Sequence, residues 1–159
     1  MPTFTLLSGV PASGKSTYAH FRQKAEPDTV VISSDARIEE IAARDGITYQ
    51  EAYVAHAGAV REAIRAEARE AFGAGRDVLW DQTNLTREVR AELLALVPEH
   101  YRRVAVAFEA PDALLADRLA ERAERTGKTI PENVLKAQKD AYLRPDRDEG
   151  FCEIQVMPA

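Results

Sequence analysis

Cysteine is all but missing from this chain: a single one, Cys152, stands among 159 residues. One thiol cannot close an internal disulfide, so stability has to come from a packed core, and the composition suits a reducing compartment. As a small apolar side chain in the last strand, Cys152 is expected to be buried. Long apolar runs are missing too, with nothing approaching the roughly 18 consecutive residues of a membrane span. Met1-Pro2-Thr3-Phe4 has no charged-then-apolar leader pattern, so the expectation is a cytoplasmic protein without membrane contact. The three histidines, His20, His56 and His100, have neither metal spacing nor a paired nucleophile and receive no role. A basic surplus is absent: the net charge of −5 argues against a protein that coats long nucleic acid, though not against a local basic channel. There is no repeat, low-complexity stretch or linker, and 159 residues fit one domain.

What is present begins with Gly9-Val10-Pro11-Ala12-Ser13-Gly14-Lys15-Ser16-Thr17, directly after the apolar run Phe4-Thr5-Leu6-Leu7. A Gly-x-x-x-x-Gly-Lys-Ser loop between a strand and a helix lets backbone N–H groups and a helix N-terminus converge on one anion. Lys15 adds a mobile positive charge near β- and γ-phosphates, and the Ser16 hydroxyl is placed to ligate Mg2+. The loop therefore predicts a site for ATP or another nucleoside triphosphate.

Short β-rich runs alternate with amphipathic helical stretches, the pattern of an open parallel sheet covered on both faces: a three-layer α/β/α fold with five strands. The strands are expected at 3–7, 29–32, 78–80, 104–108 and 153–156. Trp80 lies inside one of them and is expected in the core. A long helix over 49–72 carries Tyr53, Ala57, Val60, Ile64, Ala68 and Phe72 on one face and stops at Gly73-Ala74-Gly75. Thr86 caps a helix with Val89 and Leu93 inward, closed by Pro98, and Asp112 caps the helix of Leu114, Leu115 and Leu119.

In such sheets ligands bind beyond the carboxyl ends of the strands, which singles out the polar residues there. After Val30-Val31-Ile32 comes Ser33-Ser34-Asp35-Ala36-Arg37. Asp35 can orient an acceptor hydroxyl and take its proton, or it can merely cap the helix over 38–43. After Val78-Leu79-Trp80 comes Asp81-Gln82-Thr83-Asn84, where Asp81 resembles the acidic residue of a magnesium shell. Thr83 and Asn84 border the acceptor or build the turn. No Glu follows Asp81, which counts against a water-activating motor ATPase or a switch.

Of 21 basic residues, 16 are arginine. Arg61, Arg65 and Arg69 form one helical stripe, read either as a strand-guiding track or as a solvated face balanced by Glu62, Glu67 and Glu70. Arg118, Arg122, Arg125 and Lys128 crowd a helix-turn-helix stretch, with a new helix starting near Pro131. This hairpin, about 118–134, is expected to be a lid whose Arg122 and Arg125 neutralise charge on a transferring phosphoryl group.

These motifs together, with Arg147-Asp148-Glu149-Gly150-Phe151, resemble the kinase domain of bacteriophage-type polynucleotide 5′-hydroxyl kinases and their small phosphate-loop relatives, nearly end to end. The resemblance implies an adenylate-kinase-like phosphate-loop kinase fold with a helical lid, Asp35 as general base, Asp81 shaping the acceptor site and lid arginines on the triphosphate. Relatives read Asp-x-x-Arg where this chain has Asp35-Ala36-Arg37-Ile38, so the acceptor arginine is displaced by one position. The implied acceptor is the 5′-hydroxyl of DNA or RNA; a nucleoside, antibiotic, sugar or hydroxymethylated base in DNA is the alternative.

Overall fold

Each β-rich run becomes a strand of one five-stranded, all-parallel sheet in the computed structural model, which describes residues 1–158. In chain order the strands are β1 (Thr3–Ser8), β2 (Val30–Ile32), β3 (Val78–Asp81), β4 (Arg102–Glu109) and β5 (Glu153–Pro158). In space they run β2-β3-β1-β4-β5. The helices are α1 (Lys15–Ala25), α2 (Ser34–Asp45), α3 (Tyr49–Gly73), α4 (Arg87–Leu94), α5 (Asp112–Thr126) and α6 (Glu132–Ala141).

Alternation along the buried strands sorts their side chains into two layers. Phe4, Leu6, Ile32, Val78 and Trp80 pack with Ile38, Val60, Ile64, Phe72 and Leu93 of α2, α3 and α4. Leu7, Leu79, Val104 and Val106 face the other way, onto Ala19 of α1. Trp80 is 2% exposed, as its place in a central strand predicts. The three-layer α/β/α fold is therefore the one the alternation of runs implies. Among the described residues no helix is long and apolar enough to cross a membrane.

Register is what assembles the site. Leu7 pairs with Asp81, and Ile32 with Trp80, so the carboxyl ends of β1, β3 and β2 stop at one level. The loops that follow them open into the same crevice.

Several local expectations change. Asp112 is the first residue of α5 rather than its cap; Pro111 holds that position with no side-chain bond, and Asp112 pairs with Lys139. Thr86 does cap α4, accepting from the Val89 N–H, but Val89 is 43% exposed because the first turn tips it toward the cleft. That helix ends at Leu94, well before Pro98. Tyr53 is likewise exposed: α3 turns Ala52 into the core and so carries the next residue, Tyr53, round to the cleft. Cys152 is exposed, in the turn before β5, where its thiol donates to the Arg103 carbonyl.

Candidate active site

The phosphate loop follows β1 and is shaped by positions that tolerate little else. Gly9 lies against β4: a Cβ there would stand 2.7 Å from Ser13 Oγ and 2.8 Å from the Phe108 carbonyl oxygen. Its N–H donates to the Thr83 carbonyl at 2.9 Å, tying the loop to the end of β3. Ala12 and Gly14 both take left-handed conformations (φ 65° and 110°), and Gly14 opens α1. The Ser13 hydroxyl is buried without a hydrogen-bond partner, an unmet donor at a helix N-terminus and so fitted to an anion. Gly9→Ala is expected to weaken nucleotide binding about tenfold or more, since relieving such overlaps costs ~1–3 kcal/mol of loop distortion. Titration with a fluorescent nucleotide measures it, and wild-type affinity in the folded variant would show the loop to be more pliant than this packing implies.

Lys15 turns back along the loop and donates to the Gly9 and Val10 carbonyls at 2.8 and 2.9 Å. Burial pushes its ammonium down to about 8, against the opposing pull of Asp81 and Asp35. The Ser16 hydroxyl donates to Asp81 Oδ2 at 3.2 Å. Burial raises the Asp81 carboxyl, and Lys15 and Ser16 work in the opposite sense. A hydroxyl and a carboxylate side by side, next to a phosphate loop, are the sparse oxygen donor set that suits Mg2+ held mainly by phosphates and water. Ser16 and Asp81 would hold it.

The residues around Asp81 divide their work. Gln82 accepts from Trp80 Nε1 and donates to Ser34 Oγ, both at 2.8 Å, which pins the start of α2 to β3. Thr83 lines the cleft. Asn84 is 2% exposed; its side-chain amide donates to the Leu7 carbonyl at 2.7 Å, while its main-chain carbonyl accepts from Ser8 Oγ and Arg90. With φ at 46°, a conformation asparagine tolerates, it builds the turn, and it also borders the cleft, its Oδ1 buried without a hydrogen-bond partner.

Ser33 caps α2, accepting from the Ala36 N–H, and this releases Asp35 from the capping alternative. Asp35 points into the cleft with about half its side chain open (54%). Tyr49 Oη donates to its Oδ1 at 2.6 Å and Lys128 Nζ to its Oδ2 at 2.7 Å. Burial would raise this carboxyl, but Lys128, Tyr49 and Arg122 together hold it below the ordinary carboxylate value. Arg37, two residues on, does not join it. It pairs with Glu67 of α3 and lies outside the cleft, while Ile38 is 2% exposed in the core. One residue of register decides this: a quarter-turn of helix sends position 37 to the α3 side and position 38 inward. Arg61, Arg65 and Arg69 also lie away from the cleft, Arg61 and Arg69 exposed and Arg65 partly buried near Glu92.

The cleft measures about 1040 Å³, room for a nucleotide and a second molecule. Its floor is Pro11 to Thr17 and one wall is Ser33, Asp35, Tyr49 and Tyr53. The α5–α6 hairpin borders it with Arg118, Arg122, Arg125 and Lys128. Arg118 donates to the Ala12 carbonyl at 3.1 Å, and the charge of Arg122 is felt by Lys15, Asp35 and Asp81 alike. Sequence reasoning missed Tyr49 and Lys128 as site residues. The basic cluster containing Lys128 was the available signal; for Tyr49 there was only its place in the first turn after Thr48.

No curated protein matches the chain. Among solved structures it resembles a protein classed as a kinase from Chloroflexus aurantiacus J-10-fl, with 16% identity, TM-score 0.75, and 99% of this chain and 85% of that one covered. It resembles a chain of the Pnkp1/Rnl/Hen1 RNA repair complex at 24% identity and TM-score 0.69, covering 88% of itself but only 43% of that chain. A gluconokinase from Sinorhizobium meliloti 1021 shares 22% identity and TM-score 0.58 over 99% of this chain and 82% of that one. These likenesses establish the phosphate-loop kinase fold. A family model, AAA_33, described as an AAA domain, matches residues 4–145. With nearly all of its length under that match, the chain belongs to the AAA_33 family.

Proposed function

We propose that the protein is a kinase that moves the γ-phosphoryl group of ATP, or another nucleoside triphosphate, to a hydroxyl. The observation that carries this reading is Asp35, a cleft-facing carboxylate freed from capping and set across from Lys15, Ser16 and Asp81. Phosphoryl transfer needs positioning and charge neutralisation more than covalent chemistry from the protein. The backbone of residues 9–14, Ser13 and Lys15 would hold the phosphates. Mg2+, when bound at Ser16 and Asp81, would offset charge on the phosphate oxygens. Asp35 would orient the acceptor O–H and take its proton as the oxygen bonds to the γ-phosphorus and the bond to the β-phosphate oxygen breaks. Arg122 and Arg125, on the hairpin read as a lid, would meet the charge spread over the transferring group and help exclude water.

For the acceptor, the cleft favours a small hydroxylated molecule over the polynucleotide 5′ end that the sequence resemblance implies. A polynucleotide acceptor carries a phosphate next to its reactive hydroxyl, and the arginine nearest Asp35 in sequence is committed to Glu67 outside the cleft. The stacked rings of Tyr49 and Tyr53, 6.2 Å apart, offer instead a flat apolar wall for a nucleoside or a sugar face. Incubation with γ-labelled ATP and Mg2+ against nucleosides, sugars, hydroxylated antibiotics, hydroxymethyl-base DNA and 5′-hydroxyl DNA and RNA oligonucleotides is expected to label a small acceptor. Label confined to oligonucleotide ends would reverse that order. Brisk phosphate release with no labelled product would remove the kinase reading.

A further inference from the structure

Lys128 sits in the loop between α5 and α6, which carries no other contact of its strength to the acceptor wall. It is 7% exposed, its ammonium lies 2.7 Å from Asp35 Oδ2, and the same ammonium stands 4.2 Å from the centre of the Tyr49 ring. Tyr49 in turn donates to the other Asp35 oxygen. Beside this triad, Gln50 Nε2 donates to the Thr129 carbonyl at 3.2 Å. The hairpin bearing Arg122 and Arg125 is thus fastened, through one buried cation, to the residue proposed to activate the acceptor.

The geometry points to Lys128 as a positioning residue that latches the α5–α6 hairpin onto Asp35 and so couples closure over the phosphates to the aim of the acceptor base. This rests on the kinase reading above only for its catalytic half. The mechanical half follows from contacts spanning 93 residues of sequence. Two donors occupy two of the roughly four lone-pair positions of the Asp35 carboxylate, leaving the open half of the side chain to accept from a hydroxyl. A cation–π contact plus a short ion pair at a nearly buried ammonium holds more firmly than an exposed pair does. Opening the hairpin therefore strips Asp35 of its counter-charge at the moment Arg122 and Arg125 withdraw from the phosphates, which links the two halves of the cleft.

The charged and titratable groups facing Asp35 are Lys128 from the hairpin loop, Tyr49 from α3, Arg122 from α5, Lys15 from α1 and Asp81 from β3. Removing Lys128 takes away the largest influence holding the Asp35 carboxyl low, so its protonation moves up in pH. The carboxylate is needed ionised, so the acid limb of kcat should move toward the ordinary carboxylate range.

The test is a cycle of Lys128→Met, Asp35→Asn and the double variant, with Lys128→Arg as the conservative replacement, each first shown to melt as a folded protein. Amide exchange over residues 126–130 is expected to quicken about tenfold in each single variant and no further in the double, because both remove one contact. Lys128→Met should shift the acid limb of kcat upward, and Lys128→Arg should restore both exchange protection and the limb. Additive exchange in the double variant, or an acid limb that stays in place, would overturn the proposal. If the wild-type protein transfers phosphate to no acceptor, the kinase reading falls, and the exchange cycle alone decides the latch.

Discussion

Replacing Asp35 with Asn is expected to slow phosphoryl transfer about 10²–10⁴-fold, the usual span for a positioned general base, with nucleotide affinity kept within about twofold. Three observations separate this from a folding defect. The helix cap at the start of α2 belongs to Ser33, so no capping energy is lost with the carboxylate. Asn matches Asp in shape and still accepts from Tyr49. The phosphate loop is held by Gly9, Thr83, Phe108 and Arg118, none of which touches Asp35 through a hydrogen bond. The loss should therefore fall on kcat. Wild-type activity should also stay level down to a pH below the ordinary carboxylate value, because the folded carboxyl is held low; transfer is present above that point and lost beneath it. Single-turnover rates with saturating ATP and acceptor read both effects, and transfer by Asp35→Asn at the wild-type rate would reduce Asp35 to a partner of Lys128.

Arg90→Met is expected to cost about 3–5 kcal/mol of stability, the penalty for stranding a buried charge, and to lower the melting temperature by roughly 10 °C or more. Arg90 is fully buried on α4 and grips Glu149 with two bonds, at 2.7 and 2.9 Å. Its remaining donors reach the Asn84 and Leu143 carbonyls at 3.0 and 2.9 Å. One side chain thus joins α4, the turn after β3, the segment leaving α6 and the short helical turn at Arg147–Glu149. Glu149 is 5% exposed, so its carboxylate would be left without its main partner. Pairing Arg90→Met with Glu149→Leu should recover part of the loss, since neither then leaves an uncompensated charge. Thermal and denaturant unfolding measure it; a loss below about 1 kcal/mol would mean that water reaches the pair.

The network also explains which parts of the site were legible in sequence. The phosphate loop and the five strands were, because a glycine-lysine loop and a run of β-branched residues are local statements. Arg147-Asp148-Glu149-Gly150-Phe151 was recognisable as a motif, but its purpose was not. Asp146 and Glu149 form a capping box, Gly150 turns left-handed, Phe151 enters the core and Glu149 answers Arg90, which is a structural office. Asp35 was visible as a strand-end carboxylate, yet only the Ser33–Ala36 bond settles that it is not the cap. Arg37 misled because proximity in sequence says little about direction: Glu67 lies 30 residues away and draws it off the cleft. Lys128 was visible only as one member of a basic cluster and Tyr49 not at all, because their meeting at Asp35 is a product of tertiary packing. Cys152 went wrong by a single position, ending up in the turn rather than the strand.

The strand order has a consequence for how such a site diversifies. The phosphate loop and Asp81 hang from the middle of the sheet, on β1 and β3, with Phe108 of β4 as backing. The opposite wall, proposed to meet the acceptor, is built largely from α2, α3 and the hairpin loop, which lie outside the sheet. Substitutions that reshape the acceptor wall therefore leave the ladder of β1 against β3 untouched. Under the proposed kinase reading, the wall that meets the acceptor can change its shape and chemistry without disturbing the strands that carry the phosphate loop.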